Sequence, residues 1–319
     1  MPHHHFADRL MARARSLSAP VCVGLDPLLE RLPAEIRKRR GIPDVGDPNA
    51  APVDHEAAAA ALTDFGRGFI ESVAALVPAV KINIAFFEPY RDAGVRAYYE
   101  LVSQAHRAGL LVIGDVKRAD IGHSTQQYAL AHLGGEGAQD SSIPDAVTVN
   151  PYFGIDGVRP FLDQARNTNR GVFVLVQTSN ESAADVQGLF LADGTTLGDR
   201  MAALVESWAA PTELLGASGY SCIGAVVSPR DLAATRRVRE LMPHCLFLVP
   251  GFGAQGRTAD EVATCFRADG SGAIVNASRS VMFAYDDARY RTTVGADWRK
   301  CIESACRDFV TAVRDVLPR

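Results

Sequence analysis

The chain has 319 residues, of which 47% are hydrophobic, and a formal net charge of -4 at pH 7. It has no basic stripe typical of nucleic-acid-binding proteins and no apolar run near the ~20 residues of a membrane-spanning helix. The N-terminus also lacks the apolar core of a signal peptide. We therefore expect a cytoplasmic protein that binds neither nucleic acid nor membrane.

The cysteine and histidine patterns give little sign of a metal site. The six cysteines are scattered without a C-x-x-C pair, which favours free thiols in a reducing compartment. The adjacent residues His3, His4 and His5 are typical of a mobile terminal tail, and we expect no functional metal there.

Short aliphatic runs recur along the chain, and helix-like stretches separate them. The eight runs are residues 21–25, 79–83, 111–115, 146–149, 172–176, 223–227, 246–249 and 273–276. Near-continuous apolar strands that alternate with helices predict a parallel sheet covered by helices. Eight such units over about 250 residues predict a closed (β/α)₈ TIM barrel. An open doubly wound sheet is the alternative, but its glycine-rich dinucleotide fingerprint is missing after the first strand.

We expect one α/β domain over residues 1–319, with its core at about 20–285 and a C-terminal helix in 286–319 that closes the barrel base. Two long inserts interrupt the alternation of strands and helices. The first combines a surface loop at 41–54 with a large helix at 56–76. The second, at 180–198, follows the fifth strand and is a candidate lid.

The strongest chemical signal follows the third strand, where Asp115 and Lys117 lie two residues apart and Asp120 lies just beyond. Side chains two apart in a strand point the same way, so the first two share a face. An ammonium held between carboxylates stays charged and can act as a general acid. The carboxylates could instead hold Mg²⁺, or the cluster could be a buried ion-pair network. Polar clusters at barrel strand ends are usually catalytic, which favours chemistry.

The ends of strands seven and eight together resemble a phosphate cradle. Gly251, Gly253 and Gly256 allow backbone N–H groups to turn toward an anion, and Gln255 and Arg279 add side-chain donors. Barrels often bind phosphate at this place, although a tight turn beside a rim arginine is the alternative.

Other strand ends carry groups suited to a sugar or a polar ring. Asp26 and Lys81 bear opposite charges at neighbouring strands, either as a structural salt bridge or as partners of sugar hydroxyls. Thr178 and Ser179 after strand five either satisfy strand-end backbone groups or bind a polar ring edge.

The segment 115–122 resembles the Asp-x-Lys-x-x-Asp-Ile-Gly signature of orotidine 5′-phosphate decarboxylases, in particular the longer bacterial branch. The resemblance covers about residues 20–285 in the family's motif order. The other matching segments are Gly24-Leu25-Asp26-Pro27, Val80-Lys81, Phe86-Phe87-Glu88, Gln177-Thr178-Ser179, Pro250-Gly251-Phe252-Gly253-Ala254-Gln255-Gly256 and Ser278-Arg279-Ser280.

The resemblance implies conversion of orotidine 5′-phosphate to UMP, the last step of de novo pyrimidine nucleotide synthesis, with no metal or other cofactor. It implies that Lys117 protonates C6 of the pyrimidine and that Asp115 faces the substrate carboxylate and holds Lys117. Lys81 would adjoin these charges. Asp120 would complete the site of the neighbouring subunit, so the resemblance implies a homodimer with shared active sites.

The same resemblance assigns the substrate-binding residues. These are Asp26 with Lys81 for the ribose, Ser179 for the pyrimidine, and Gln255 with Arg279 for the phosphate. Thr178 and Gly256, which adjoin them in the sequence, complete the expected set of substrate-binding residues.

The chain departs from the family pattern at two places. Ser124 followed by Thr125 stands where a single threonine is usual, and either hydroxyl could contact the ribose across the dimer. Arg257 replaces the second glycine of the phosphate loop and could contact phosphate or solvent.

Two other functions remain open. One is a Mg²⁺-dependent sugar-phosphate decarboxylase or aldolase of the same barrel group. The other is a nucleotide-binding sensor without turnover, although a sensor has no need of a proton donor.

Overall fold

The computed structural model describes residues 5–43, 52–134, 141–229, 231–253 and 258–317. The described residues form a closed barrel of eight parallel strands in chain order, in which β1 also pairs with β8. The strands are β1 (Val21–Leu25), β2 (Ala79–Asn83), β3 (Leu111–Arg118), β4 (Ala146–Val149), β5 (Gly171–Gln177), β6 (Ile223–Val227), β7 (Phe247–Val249) and β8 (Ala273–Ala277). The predicted α/β TIM barrel is confirmed.

Helices surround the barrel, because each crossover between neighbouring parallel strands passes over the outer face of the sheet. They are α1 (Phe6–Leu17), α2 (Ala34–Arg39), α3 (His55–Val73), α4 (Arg91–Arg107), α5 (Gly122–Leu133), α6 (Ile155–Thr168), α7 (Ala183–Gln187), α8 (Leu197–Ala209), α9 (Leu232–Leu241), α10 (Ala259–Ala263), α11 (Arg279–Met282), α12 (Ala288–Val294) and α13 (Trp298–Asp315). Among the described residues, no helix is long and apolar enough to cross a membrane.

The N-terminal helix α1 closes the base of the barrel. Its apolar face packs in one cluster with barrel-interior side chains such as Ile113 and Phe173. The rings of Phe6 and Phe173 meet edge to face with centroids 5.9 Å apart. Gly171 is required beneath this helix, since a Cβ there would lie 2.2 Å from the Phe6 ring. The base is therefore sealed by the start of the chain.

The prediction that a single C-terminal helix closes the base was wrong. The segment forms two helices, α12 and α13, and Gly295 between them has φ +84. A glycine adopts this left-handed conformation at little cost, which allows the chain to turn sharply after α12. Helix α13 then packs on the outside of the barrel against α3 and α11.

The first insert agrees with its prediction where the structure describes it, whereas the second insert differs. The large first helix is confirmed as α3. Residues 44–51, which belong to the predicted loop before it, lie outside the described part of the chain. The second insert is more ordered than a plain loop. It contains α7 and an antiparallel bridge between Phe190 and Thr196, and Thr196 caps α8.

A buried carboxylate, Asp145, ties α1 to the barrel. It accepts hydrogen bonds from Arg9 of α1 at 2.5 Å, from His106 of α4 at 2.9 Å and from the Val112 amide of β3 at 2.8 Å. Burial alone would raise the pKa of Asp145, but these partners hold it below its ordinary value. The network joins three elements at the lower end of the barrel.

This network predicts a pH-dependent stability. Burial would lower the pKa of His106, but the hydrogen bond to Asp145 and its charge raise it overall. Because its pKa is raised in the folded state, His106 contributes its full stabilisation below the pKa of the unfolded chain, about 6.5. This contribution is lost as the pH rises through the pKa of the folded state. We therefore expect His106→Gln to lower the free energy of unfolding by about 1 kcal/mol more at pH 5.5 than at pH 9, as measured by urea denaturation.

The exposed residue His55, at the start of α3, offers a matched control, because its ring meets the Tyr90 ring edge to face and bonds to no carboxylate among the described residues. His55→Gln should change stability little at either pH. An equal loss for His106→Gln at both pH values would contradict the account of the network.

Candidate active site at the mouth of the barrel

A cavity opens at the C-terminal ends of the strands and holds about 880 Å³ of empty space, counted out to its mouth. In TIM barrels this end is where active sites form. The lining residues are Asp26, Lys81, Asn83, Asp115, Lys117, Thr148, Leu175, Thr178, Ser179, Val226, Leu248, Pro250, Gly251, Phe252, Asn276, Ser278 and Arg279. The structure thus brings most of the sequence-predicted site residues together.

Asp115 is the centre of the charged array. Its side chain is buried, and one oxygen, Oδ2, accepts a hydrogen bond from Lys81 Nζ at 2.5 Å. The other oxygen, Oδ1, accepts hydrogen bonds from Lys117 Nζ at 2.5 Å and from the Thr148 hydroxyl at 2.8 Å. One carboxylate therefore holds two ammonium groups and a hydroxyl in fixed positions.

The array keeps its charges. Burial would raise the pKa of Asp115, but the neighbouring ammonium groups of Lys81 and Lys117 hold it well below its ordinary value. Burial would likewise lower the pKa of Lys81, but Asp115 and Asp26 raise it above its ordinary value. The buried pair therefore stays ionised at neutral pH.

Simple strand alternation does not account for the position of Lys117. The β3–β4 register runs from Gly114 opposite Val147 to Arg118 opposite Val149, so three residues of β3 stand opposite Thr148 alone. Lys117 lies in this bulge with φ +44. Such backbone conformations are uncommon for residues other than glycine and persist at functional sites where the surroundings impose them. The bulge directs the ammonium back onto Asp115.

Asp26 contributes an open acceptor. Its Oδ1 lies 3.7 Å from Lys81 Nζ and is buried without a hydrogen-bond partner among the described residues. A buried acceptor that lacks a donor is costly, so a ligand hydroxyl would be favoured here.

The two hydroxyls after β5 have different roles. Thr178 accepts a hydrogen bond from Gln187 Nε2 at 2.7 Å and donates one to Asn180 at 2.6 Å. The Gln187 side chain also accepts from the Thr178 amide, so Thr178 anchors α7 and the second insert. The Ser179 hydroxyl has no hydrogen-bond partner in the described ranges and lines the cavity.

The opposite end of the cavity suits an anion. Gly251 and Gly253 have φ +97 and +72, conformations that favour glycine and turn the loop after β7. Arg279, at the start of α11, is exposed and pairs with no acidic side chain among the described residues. Gln255, Gly256 and Arg257 lie outside the described residues.

Three predicted residues lie away from the cavity of their own barrel. Asp120 follows β3 and accepts a hydrogen bond from the Ile121 amide at 2.8 Å. Ser124 is exposed on α5. Thr125 is fully buried, and its hydroxyl donates to the Gly157 carbonyl at 3.0 Å.

Sequence reasoning missed several groups in the cavity. Thr148 is the clearest, and its signal is a single hydroxyl within the apolar strand β4. Asn276 of β8 binds the Ser278 hydroxyl and faces the Cys22 thiol, whose pKa burial raises to about 12. An apolar wall, formed by Leu175, Val226 and Leu248, completes the lining.

The described residues contain no group of three His, Cys, Asp or Glu side chains placed to hold a metal ion. His5 bonds to the Leu214 carbonyl at 2.9 Å, while His3 and His4 lie outside the described part of the chain.

Comparisons with known proteins agree with this geometry. The model of the orotidine 5′-phosphate decarboxylase / HUMPS family matches residues 20–291. The chain is 40% identical to an orotidine 5′-phosphate decarboxylase of Rhodopirellula baltica, over 94% of this chain and 96% of that protein. It is 35% identical to one of Caldicellulosiruptor saccharolyticus, over 88% of this chain and 90% of that protein.

A solved structure of a member of the same family has a similar fold. The fold matches the OMP decarboxylase of Leishmania donovani with a TM-score of 0.68 and 28% identity, over 98% of this chain and 99% of that one. The cavity, the charged array and these matches together show that the chain belongs to the orotidine 5′-phosphate decarboxylase / HUMPS family.

Proposed function

We propose that the protein decarboxylates orotidine 5′-phosphate to UMP in pyrimidine nucleotide synthesis. The observation that carries the proposal is the array of Lys81, Asp115 and Lys117 at one side of a cavity whose other end suits an anion. The family's relatives bear the name of this activity.

The groups that line the cavity favour one orientation of a nucleotide. The phosphate lies at the loop after β7 and at Arg279, where a guanidinium and backbone N–H groups favour a dianion. Asp26 and Lys81 then face the ribose, and the Asp26 oxygen that has no partner among the described residues accepts a hydrogen bond from a ribose hydroxyl. The Ser179 hydroxyl, which has no partner within the described ranges, is directed to the pyrimidine, and C6 then lies beside Lys117.

Each step of the chemistry follows from the charges. The bond between C6 and the carboxylate carbon breaks, CO₂ leaves, and the electron pair stays on C6. The Lys117 ammonium stabilises this charge and donates a proton to C6, so that a C–H bond replaces the C–C bond. Water then returns a proton to the lysine. Asp115 keeps Lys117 in place and is itself a negative charge beside the departing carboxylate.

The donor set favours catalysis without a metal ion. Both Asp115 oxygens already accept hydrogen bonds, three in all, from two ammonium groups and a hydroxyl. A cation at this carboxylate would face Lys81 and Lys117 at close range and be repelled by them. This argues against the Mg²⁺-dependent alternative.

The wild-type protein should therefore lower the absorbance of orotidine 5′-phosphate in the presence of EDTA. Lys117→Ala should reduce turnover by about 10³-fold or more, because it removes both the stabilising charge and the proton donor. Both are measured by the same absorbance assay, with circular dichroism to verify the fold.

Lys300→Ala is the matched control, since it removes an exposed lysine of α13 outside the cavity. It should retain full activity. Near-normal turnover by Lys117→Ala would contradict the proposed acid, and loss of wild-type activity in EDTA would favour the metal-dependent alternative.

We also propose a homodimer with shared active sites. Exposed apolar side chains occur just before α5, along α5 and on the loop after β4, and we call them the interface patch: Ile121, Tyr128, Leu130, Tyr152 and Phe153. Tyr152 is 82% exposed and its ring meets that of the exposed Phe153 edge to face at 5.8 Å, so the two form one apolar surface of the kind that marks protein–protein contacts.

Asp120 belongs to the same surface as the interface patch. A Cβ placed on Gly157 would lie 3.0 Å from both the Asp120 carbonyl and Phe153 Cβ, so these two residues are neighbours. A partner that covers the interface patch would receive Asp120 close to its own cavity. Ser124 is the hydroxyl that accompanies it, because Thr125 is buried and already bonded.

Mixed dimers test the shared site. Lys117→Ala and Asp120→Ala should each be nearly inactive alone. After joint unfolding and refolding, half of the dimers are mixed and hold one site with both residues intact, so activity should recover to about one quarter of wild type.

An inactive mixture that size-exclusion chromatography shows to contain dimers would contradict sharing. Full activity of Asp120→Ala alone would contradict a catalytic role for that residue. A mixture of Lys117→Ala with Lys117→Ala/Asp120→Ala is the negative control and should stay inactive.

The setting proposed for this reaction is the cytoplasm. All six cysteines are buried and free, in agreement with a reducing compartment.

A further inference from the structure

Thr148 of β4 contacts both reacting groups of the array. It is 2% exposed, and its hydroxyl donates to Asp115 Oδ1 at 2.8 Å. The same hydroxyl accepts a hydrogen bond from the Lys117 amide at 3.1 Å. Among the described residues it is the one hydroxyl that bonds to both, and it therefore couples the carboxylate to the backbone that carries the ammonium.

The bulge in β3 explains why such a link is needed. Main-chain pairing between β3 and β4 is regular up to Gly114 and resumes where the Asn150 amide donates to the Arg118 carbonyl at 3.0 Å. Between these points the Lys117 amide is turned by its positive φ and does not continue the ladder. A strand amide that is partly shielded from water still needs an acceptor, and the Thr148 hydroxyl takes the place of the missing strand carbonyl.

The carboxylate depends on the same hydroxyl. Lys81 holds Asp115 Oδ2 from a buried position, whereas Thr148 and Lys117 are the groups among the described residues that hold Oδ1. The Lys117 side chain is 48% exposed and long, so it cannot fix the carboxylate by itself. Without Thr148, Asp115 Oδ1 would be held by Lys117 alone, although Lys117 is the group that Asp115 must orient.

We propose that Thr148 is a positioning residue for the reaction, which fixes Asp115 and the strained backbone of Lys117 in a single arrangement. The proposal rests on the proposed function. Thr148 touches Asp115 and Lys117, and it acts on the reacting carbon through them. A misplacement of about 1 Å in such an array can cost about 100-fold in rate.

A purely structural role predicts something different. A buried threonine that only satisfies its own hydroxyl would affect stability, and its loss would leave turnover per folded molecule unchanged. Thr235 of α9 is such a residue, because it is fully buried and its hydroxyl donates to the Asp231 carbonyl at 2.7 Å. It provides the matched control.

The test compares Thr148→Val, Thr148→Ser and Thr235→Val in the full-length protein. Valine keeps the branched shape and removes the hydroxyl, whereas serine keeps the hydroxyl. For Thr148→Val we expect kcat to fall about 10- to 100-fold with KM within about threefold, because the loss acts on the transition state. Thr148→Ser and Thr235→Val should keep kcat within about threefold of wild type.

Two kinetic outcomes would overturn the proposal. One is a normal kcat for Thr148→Val, and the other is an equal fall for Thr148→Ser, which would assign the effect to the methyl group. Thermal unfolding of each variant, scored as melting temperature, identifies a loss of folded protein.

Crystal structures of the Thr148 variants distinguish a failure of the positioning proposal from a failure of the proposed function. If the wild type fails to decarboxylate orotidine 5′-phosphate, the proposed function fails, but the positioning claim is still testable. Thr148→Val should then show Lys117 outside the positive-φ region or its Nζ displaced from Asp115, while Thr148→Ser should not. An unchanged Lys117 in Thr148→Val would overturn the positioning claim.

Discussion

The site depends on one buried carboxylate that must stay charged. Asp115 is 6% exposed, and an isolated ion at that depth would be strongly destabilising. It is stable because two ammonium groups and a hydroxyl bond to it, and removal of one partner from such a buried pair typically costs about 3–5 kcal/mol. Strands β2, β3 and β4 supply these groups, so the barrel must place three neighbouring strand ends together before the chemistry can exist.

The same constraint accounts for the irregular backbone of β3. A regular strand would continue its pairing with β4, whereas the bulge places three residues opposite Thr148. A residue in an unusual conformation such as that of Lys117 costs about 1–3 kcal/mol, and the surrounding bonds offset that cost. The reactive ammonium is thus held at a defined place while its side chain remains accessible from the cavity.

Much of the fold could be predicted from the sequence, because the aliphatic runs are long enough to identify each buried strand and their spacing identifies the crossovers. The closure of the barrel base could not be predicted, because it depends on the packing of Phe6 of the N-terminal helix against Phe173 inside the barrel. Gly295 was the signal that the last segment divides into two helices, and its positive φ shows why.

At the site, the cluster of Asp26, Lys81, Asp115 and Lys117 could be predicted from their positions at strand ends. The barrel brings these ends together independently of the conformation of the loops. Hydrogen-bond partners are decided by side-chain packing and could not be predicted. Thr178 binds Gln187 of the insert, Thr125 is directed inward, and Thr148 joins the array, although all three are threonines near strand ends or helix starts.

The measurement that tests the central claim most directly is a crystal structure of the protein with UMP bound. The account predicts that Lys117 Nζ lies within about 3.5 Å of pyrimidine C6 while still bonded to Asp115, with the phosphate at Arg279. A pyrimidine ring that lies away from Lys117, or a Lys117 that has left Asp115, would contradict it.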